Sequence, residues 1–159
     1  ACLFTAGANM IIAGIPSGQS VTMEAGARVK VLAETTTKFR LEYSLSGAVT
    51  LTGTGFGASV TAAATYSVVN GKVTMYIPLL SGTSNTTAFT VTGFPASVAP
   101  GATRSFAPLV VTDNSGLLYT GTASLATNAV MTLQSTAAAG GWTAGNTKAL
   151  FPNSYSWLL

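Results

Sequence analysis

The sequence predicts an all-β protein, a jelly-roll-like antiparallel β-sandwich with an N-terminal strand-rich arm or small subdomain. Three observations predict this fold. Apolar and polar residues alternate with period two, β-branched residues are frequent in the alternating runs, and turn-forming residues recur about every 8 to 12 positions. No run has the pattern of a convincing helix, since the best run of helix formers, residues 136–139, ends at Gly140-Gly141.

The first strands are predicted upstream of residue 46. Ser20–Met23 and Arg28–Ala33 are strand-like, and in Phe39–Leu45 apolar residues occupy every second position. A stretch rich in Thr and Gly, residues 48–57, then predicts a strand that lies close to other backbone. Because the charged stretch ends near Ser46-Gly47, we predict that residues 1–45 form an N-terminal β arm or attachment segment and residues 46–159 the β-sandwich domain.

The clearest predicted element is a hairpin over residues 66–77. Asn70-Gly71 supplies the positive φ angles of a type I′ turn, and Pro78 ends the second strand because it lacks a backbone donor. The residues predicted to share one face, in opposite pairs, are Val68 with Val73 and Tyr66 with Met75.

Further strands are predicted downstream of this hairpin. Ser81–Asn85 is predicted to be a loop and Asp113–Gly116 a tight turn. The predicted strands are Phe89–Thr92, Ala107–Thr112, Leu117–Thr120 and one or two within residues 122–133, broken near Thr127-Asn128.

The chain is unusually poor in charge. Charged residues make up 7% of it, whereas an ordinary soluble domain has about 25%. An exterior with so few charges must be covered by identical neighbours or wetted by hydroxyls, which suits an assembly protein better than an enzyme. The net charge is +3, but the basic residues between 24 and 42 are interleaved with acids, so no cationic stripe for nucleic acid is predicted.

Membrane insertion, secretion and disulfide bonding are not indicated. The longest apolar stretch near the start, Met10–Ile15, is much shorter than the roughly 20 residues of a spanning helix. The first basic residue is Arg28, so a secretory signal is not expected. Cys2 has no mate and, without histidine in the chain, no imidazole base, so we expect a structural thiol.

The residues that could perform catalysis or bind metal are few. Of the four carboxylates, Glu24, Glu34 and Glu42 lie among Lys and Arg and are expected to form surface ion pairs, while Asp113 is expected to cap its own turn. No Cys/His cluster or acidic loop suits zinc or calcium, and Gly53–Gly57 lacks the helix of a dinucleotide-binding loop. The sequence therefore predicts no enzymatic activity, no metal and no cofactor.

Aromatic residues concentrate near the C-terminus. They are Trp142, Phe151, Tyr155 and Trp157. Three explanations account for this concentration: the residues are buried in a final strand packed into the sandwich, they are buried in a seam between subunits, or they form a binding face.

Several motifs resemble those of one group of viral proteins. They are residues 73–85 (VTMYIPLLSGTSN), Thr92-Gly93-Phe94-Pro95, residues 110–114 (VVTDN), and Gly145-Asn146-Thr147-Lys148 followed by Tyr155. On these motifs the chain, from Tyr66 to Tyr155, resembles the C-terminal domains of tailed-bacteriophage virion proteins, including tail-fibre and head-fibre tips. Residues 13–22 and 34–41 are also similar to phage virion sequence.

The resemblance implies a jelly-roll-like sandwich, often trimeric, on the exterior of the virion. The function it implies is that of a non-enzymatic virion structural protein, a short fibre, knob or capsid decoration subunit, assembled in the bacterial host cytoplasm. The implied partners are identical subunits in a homotrimer, capsid or tail proteins of the same virion, and a host cell-surface glycan. Because no heptads or repeats form a shaft, the first 45 residues would seat the chain on the particle, or it would join a longer partner.

Three sets of residues are candidates for these contacts. The virion-attachment set is Glu24, Arg28, Lys30, Lys38 and Arg40. The distal or glycan-contact set is Ser84, Asn85, Asn114, Tyr119 and Trp142. The oligomer-packing set is Phe151, Tyr155 and Trp157. The alternative function is a carbohydrate-binding, receptor-recognising module that uses Tyr119, Trp142 or Tyr155 as stacking platforms. A third possibility, a depolymerising spike enzyme, has no carboxylate pair to support it.

Overall fold

The computed structural model describes residues 2–5, 10–12, 20–23, 27–34, 38–113, 117–135 and 142–159. The strands are β1 (Cys2–Thr5), β2 (Met10–Ile12), β3 (Ser20–Met23), β4 (Arg28–Ala33), β5 (Phe39–Thr54), β6 (Val60–Val69), β7 (Lys72–Ile77), β8 (Leu80–Thr83), β9 (Thr90–Thr92), β10 (Arg104–Asp113), β11 (Leu117–Leu125), β12 (Met131–Gln134), β13 (Thr147–Leu150) and β14 (Asn153–Leu158). A 3-10 helix spans Ala96–Val98. In this part of the chain no helix is long and apolar enough to cross a membrane.

Ten strands follow one another in a continuous, mostly antiparallel sheet. Their order is β14-β7-β6-β5-β9-β12-β11-β10-β13-β8. The sheet curls so that its end strands approach the opposite half, β14 contacting β10 and β8 contacting β6. Two halves therefore face each other across one core, and the predicted all-β sandwich is confirmed.

The N-terminal strands join this sheet in two ways. β2 pairs in parallel and β4 pairs antiparallel with the first half of β5, whereas β1 and β3 form a separate two-stranded sheet. The predicted boundary between residues 45 and 46 falls inside β5, which continues through it without interruption. The end of the charged stretch and the beginning of the Thr/Gly-rich stretch therefore lie on one strand.

The β6–β7 hairpin forms as its sequence predicts. Asn70 and Gly71 have φ angles of 48° and 80°, the left-handed values of a type I′ turn. The predicted opposite pairs Val68–Val73 and Tyr66–Met75 are confirmed. Asn70 also accepts a hydrogen bond on Oδ1 from the Tyr43 backbone N–H at 3.1 Å, which ties the turn to β5.

Other predicted elements are partly confirmed. β3 and β4 have the predicted bounds, and β7 ends at Ile77, directly before Pro78. The predicted loop Ser81–Asn85 is wrong in its first half, because β8 pairs with β13 through residue 83. The break expected near residues 127–128 separates β11 from β12.

The two halves contribute alternating inward side chains to the core. In β7, exposed and buried residues alternate over all six positions. At one end of the core, Phe89 packs edge-to-face against Phe56 and Trp142, with ring centroids 4.9 and 5.2 Å apart. Leu51 is fully buried near the C-terminal end of β5, and burial of such a side chain stabilises the fold by about 1.5–3 kcal/mol.

Hydroxyl side chains line the outward faces in cross-strand rows. One row, across β14, β7, β6 and β5, is Ser156, Thr74, Ser67 and Ser46. A second, across β5, β9, β12, β11 and β10, is Thr54, Thr90, Thr132, Ser124 and Ser105. Neighbouring hydroxyls bond to each other, as between Thr74 Oγ1 and Ser156 Oγ at 3.1 Å. The sandwich exterior is therefore polar without being charged.

Candidate functional site

Charged side chains gather on β4 and the first half of β5. Antiparallel pairing sets Arg28 opposite Ser44 and Lys30 opposite Glu42. We define the charged end as Arg28, Lys30, Glu34, Lys38, Arg40 and Glu42. All four of its basic residues are exposed. The fifth residue predicted for virion attachment, Glu24, lies outside the described residues.

The charged end carries an excess of positive charge. Its four cations face two carboxylates, and Arg40 Nε lies 2.8 Å from Glu34 Oε1. Because both side chains of this pair are partly exposed to water, the pair contributes at most about 1 kcal/mol to stability. Arg28 and Lys30 are also exposed, and their positive charges would attract a partner surface that carries acids.

Exposed apolar side chains adjoin the charged end, and they were not among the candidates predicted from the sequence. Val29, Val31 and Phe39 are all exposed, Val31 by 61%. Val31 lies opposite buried Leu41 and Val29 opposite buried Tyr43, so the apolar face of the core continues outward onto β4. The alternation within Arg28–Ala33 was the signal that could have identified them.

Two open grooves lie where the charged end meets β6. Their volumes are about 280 and 390 Å³, and both are lined by Arg28, Ser44 and Val69. Lys30 and Glu42 line the smaller one. Such shallow, mixed surfaces suit contact with another protein better than enclosure of a small molecule.

Lys148 on β13 is fully buried and anchors the segment that follows β8. Its Nζ donates a hydrogen bond to the Ala88 carbonyl at 2.6 Å and lies 3.4 Å from the Thr86 carbonyl. The ammonium also lies 5.0 and 5.5 Å from the ring centroids of Phe56 and Phe89. These contacts satisfy the buried donor and assign Lys148 a structural role.

Lys148 should make stability depend on pH. Burial lowers the pKa of its ammonium below the usual 10.5, and nearby Asp113 acts in the opposite sense with a smaller effect. The folded protein thus binds this proton less tightly than the unfolded chain, so the free energy of unfolding should rise with pH up to about 10.5. We expect Lys148→Met to remove this contribution, so that in urea unfolding the free energy of unfolding of the wild type rises relative to that of the variant as the pH approaches about 10.5. Tyrosine titration contributes equally to both proteins, so it cancels in the difference between their free energies of unfolding. If that difference did not change with pH, the assignment would be contradicted.

The segment from Ser84 to Ala88 contains two of the predicted distal contacts. Ser84 is buried, donates its Oγ–H to the Thr86 carbonyl at 2.9 Å and its N–H to the Asn146 carbonyl at 2.7 Å. The prediction that Ser84 meets a ligand is therefore wrong, because these contacts hold it inside the fold. Asn85 is exposed, with its backbone N–H bonded to the Gly55 carbonyl, and its contact role stays a prediction.

The predicted aromatic contact Trp142 is a core residue. Its side chain is only 3% exposed, and its Nε1–H donates to the Leu133 carbonyl at 2.9 Å. The prediction of a glycan contact is wrong, since the indole has no free face to stack on a sugar. Tyr119 is half-buried against the core, and Asn114 lies outside the described residues.

The terminal aromatic residues divide into two classes. Tyr155 and Trp157 are buried in their own chain, beside Phe106, and Trp157 Nε1–H donates to the Val98 carbonyl at 2.8 Å. Burial also raises the pKa of Tyr155 to about 12. The prediction that these two residues pack between subunits is wrong, because the curl of the sheet already covers them. Phe151 is 37% exposed, and its packing role stays a prediction.

Acidic side chains are scattered in the described part of the chain. No group of three or more His, Cys, Asp or Glu that could hold a metal ion occurs among the described residues. Asp113 is buried, and its carboxylate accepts hydrogen bonds from the Thr143 backbone N–H and Oγ1–H at 3.0–3.1 Å. It therefore ties β10 to residue 143, a contact that the sequence did not predict. The rest of its expected turn, residues 114–116, lies outside the described residues.

Neither a protein-family model nor a curated protein sequence matches the chain. What bears on function is the distribution of charge and apolar surface over the chain.

That distribution is strongly uneven. Residues 46–159 contain four charged residues, Lys72, Arg104, Asp113 and Lys148, and the last two are buried. The exterior of the sandwich thus carries only Lys72 and Arg104, whereas every other charged residue of the chain precedes residue 46.

Proposed function

We propose that the chain is a non-enzymatic structural protein of a bacteriophage virion, displayed on the particle as a short fibre, knob or capsid decoration subunit. The observation that carries the proposal is the separation of charge: the basic residues gather on β4 and β5, and the sandwich exterior is hydroxyl-rich and almost uncharged. The resemblance of residues 66–155 to virion domains supports the same function.

The charged end is the proposed attachment surface. It combines four exposed cations with the exposed side chains of Val29, Val31 and Phe39. Interfaces of this kind bury apolar residues at the centre and use charges at the rim to select and orient the partner. The surface therefore fits an acidic patch on a capsid or tail protein.

The sandwich exterior is the proposed site of self-association into a homotrimer. Interface centres are depleted of charge, and the outward faces of the sandwich already have this property. Three exposed apolar residues lie on neighbouring segments: Val110 on β10, Leu118 on β11 and Phe151 directly after β13. The backbone N–H of Phe151 donates a hydrogen bond to the Val110 carbonyl. Together they form a patch that a second subunit could cover.

Light scattering during size-exclusion chromatography tests the self-association. We expect the 16.0 kDa chain to elute as a trimer, and the double variant Val110→Ser/Leu118→Ser to elute as a monomer. Val69→Ser, an exposed apolar residue on a different strand, is the matched control and should remain trimeric. A monodisperse wild-type monomer would overturn the trimer.

Quantitative mass spectrometry of purified particles of the phage that encodes the chain tests the virion location. We expect the protein in particles at a fixed copy number, and reduced incorporation of Arg28→Glu/Lys30→Glu. The matched control is Lys72→Glu, a charge reversal on the sandwich, which should incorporate normally. Absence of the wild-type protein from the particles would overturn the proposed function.

The alternative candidate, a carbohydrate-binding module, loses the stacking faces of Trp142 and Tyr155 to the core. The groove between β10 and β14 is a different surface that favours carbohydrate binding.

A further inference from the structure

Two grooves lie end to end between β10 and β14, where the curled sheet brings its two halves together. Their volumes are about 400 and 330 Å³. Both are lined by Ser105, Phe106 and Ser156, so they form one continuous depression, which we call the β10–β14 trough. Like the grooves at the charged end, the trough is open to solvent, so a ligand there would lie along a surface depression and not in an enclosed cavity.

One end of the trough holds both of the charges on the sandwich exterior. Lys72 and Arg104 line the larger groove, and none of its lining residues is acidic. Arg104 Nε is buried and has no hydrogen-bond partner among the described residues. Because this nitrogen has no access to solvent, an oxyanion in the groove could meet Arg104 only through the rest of its guanidinium.

The rest of the trough is lined by groups that hydrogen-bond without charge. Ser105, Asn153, Ser154 and Ser156 provide hydroxyl and amide groups along the smaller groove. In the described part of the chain β14 pairs with β7 alone, so the β14 edge that faces β10 has unpaired backbone groups. The half-buried ring of Phe106 contributes an apolar surface in the middle.

We propose that the β10–β14 trough binds an acidic sugar, with the sugar carboxylate on Lys72 and Arg104. A guanidinium presents a planar fork that matches a carboxylate, and Lys72 adds a second positive charge. The hydroxyls of the saccharide bond to the Ser and Asn side chains, which can both donate and accept. The C–H face of the ring packs on Phe106. This inference goes beyond the proposed virion function and does not rest on it.

An NMR titration of the ¹⁵N-labelled full chain with D-glucuronate tests the proposal, with D-glucose as the neutral counterpart. We expect shift changes confined to residues 72, 104–109 and 153–158 with glucuronate, and none with glucose. Arg104→Gln and Lys72→Gln should each weaken glucuronate binding about tenfold, the usual effect of one lost charge-assisted hydrogen bond. Arg28→Gln, which removes a cation from the charged end, is the matched control and should bind normally. Because Lys72 is exposed, Lys72→Gln decides the result even if Arg104→Gln fails to fold.

Four results would overturn the proposal. They are no shift changes with glucuronate, equal binding of glucose, unchanged affinity in Lys72→Gln, and binding of inorganic phosphate or a triglutamate peptide at least as tight as that of glucuronate. The last result would mean that the trough selects negative charge alone or an acidic protein segment, and that the Ser and Asn side chains recognise no saccharide.

Discussion

Replacement of Trp142 by alanine is expected to lower the free energy of unfolding by about 3–5 kcal/mol, the usual cost of deleting a buried large aromatic side chain. The variant loses the packing of the indole on Phe89 and leaves the Leu133 carbonyl without the Nε1–H donor. Urea unfolding followed by far-UV circular dichroism measures the change, because Trp142 itself contributes to fluorescence.

Phe151→Ala is the matched control for this experiment. Phe151 is also an aromatic residue near the C-terminus but is exposed in the isolated chain, so its replacement should change monomer stability by less than about 1 kcal/mol. If Trp142→Ala proved as stable as Phe151→Ala, the assignment of the indole to the core would be wrong, and a surface role would return.

Gly55→Ala is expected to destabilise the fold by about 3 kcal/mol or more. Gly55 has a φ of 88°, which costs a residue with a side chain about 1–3 kcal/mol. A Cβ placed there would also lie 2.2 Å from the Ala88 carbonyl oxygen and 2.7 Å from Lys148 Nζ. The Ala88 carbonyl would have to move, and with it the hydrogen bond that satisfies the buried ammonium.

Gly145→Ala separates the two causes. Gly145 has nearly the same φ, 89°, but no atom lies within 4 Å of the position of its added Cβ. It should therefore lose only the conformational part, about 1 kcal/mol. Equal destabilisation in thermal melts of the two variants would show that the close approach of Gly55 to Ala88 contributes nothing.

Period-two patterning was sufficient to predict β3, β4 and the β6–β7 hairpin, whereas β8 was predicted as a loop and β1, β2 and β13 were not predicted. The pairs across Asn70-Gly71 follow from the turn alone, because a two-residue type I′ turn fixes the register of the strands it joins. The bounds of β3 and β4 were predicted for a similar local reason. The long strand β5 was predicted as two pieces, since its composition changes at residue 46 whereas its alternation does not.

The candidate site was less accessible to sequence reasoning. Alternation shows that Tyr155 and Trp157 face inward, but it does not show whether they pack on their own chain or on a partner; the curl of the sheet decides that. The burial of Lys148 has no signal in the sequence, because its partners are the carbonyls of residues 86 and 88, some 60 positions away. The trough depends on the same long-range closure, which brings Lys72 and Arg104 together.

The pairing of β14 with β7 has a consequence for biosynthesis. The strand nearest the C-terminus covers the edge of a hairpin that is translated about 80 residues earlier. Until residue 158 has emerged from the ribosome, the edge of β7 that pairs with β14 stays open, beside the side chains of Val73, Met75 and Ile77, which are fully buried in the fold. A chain that ends before β14 would therefore present an unpaired strand edge and be prone to aggregate.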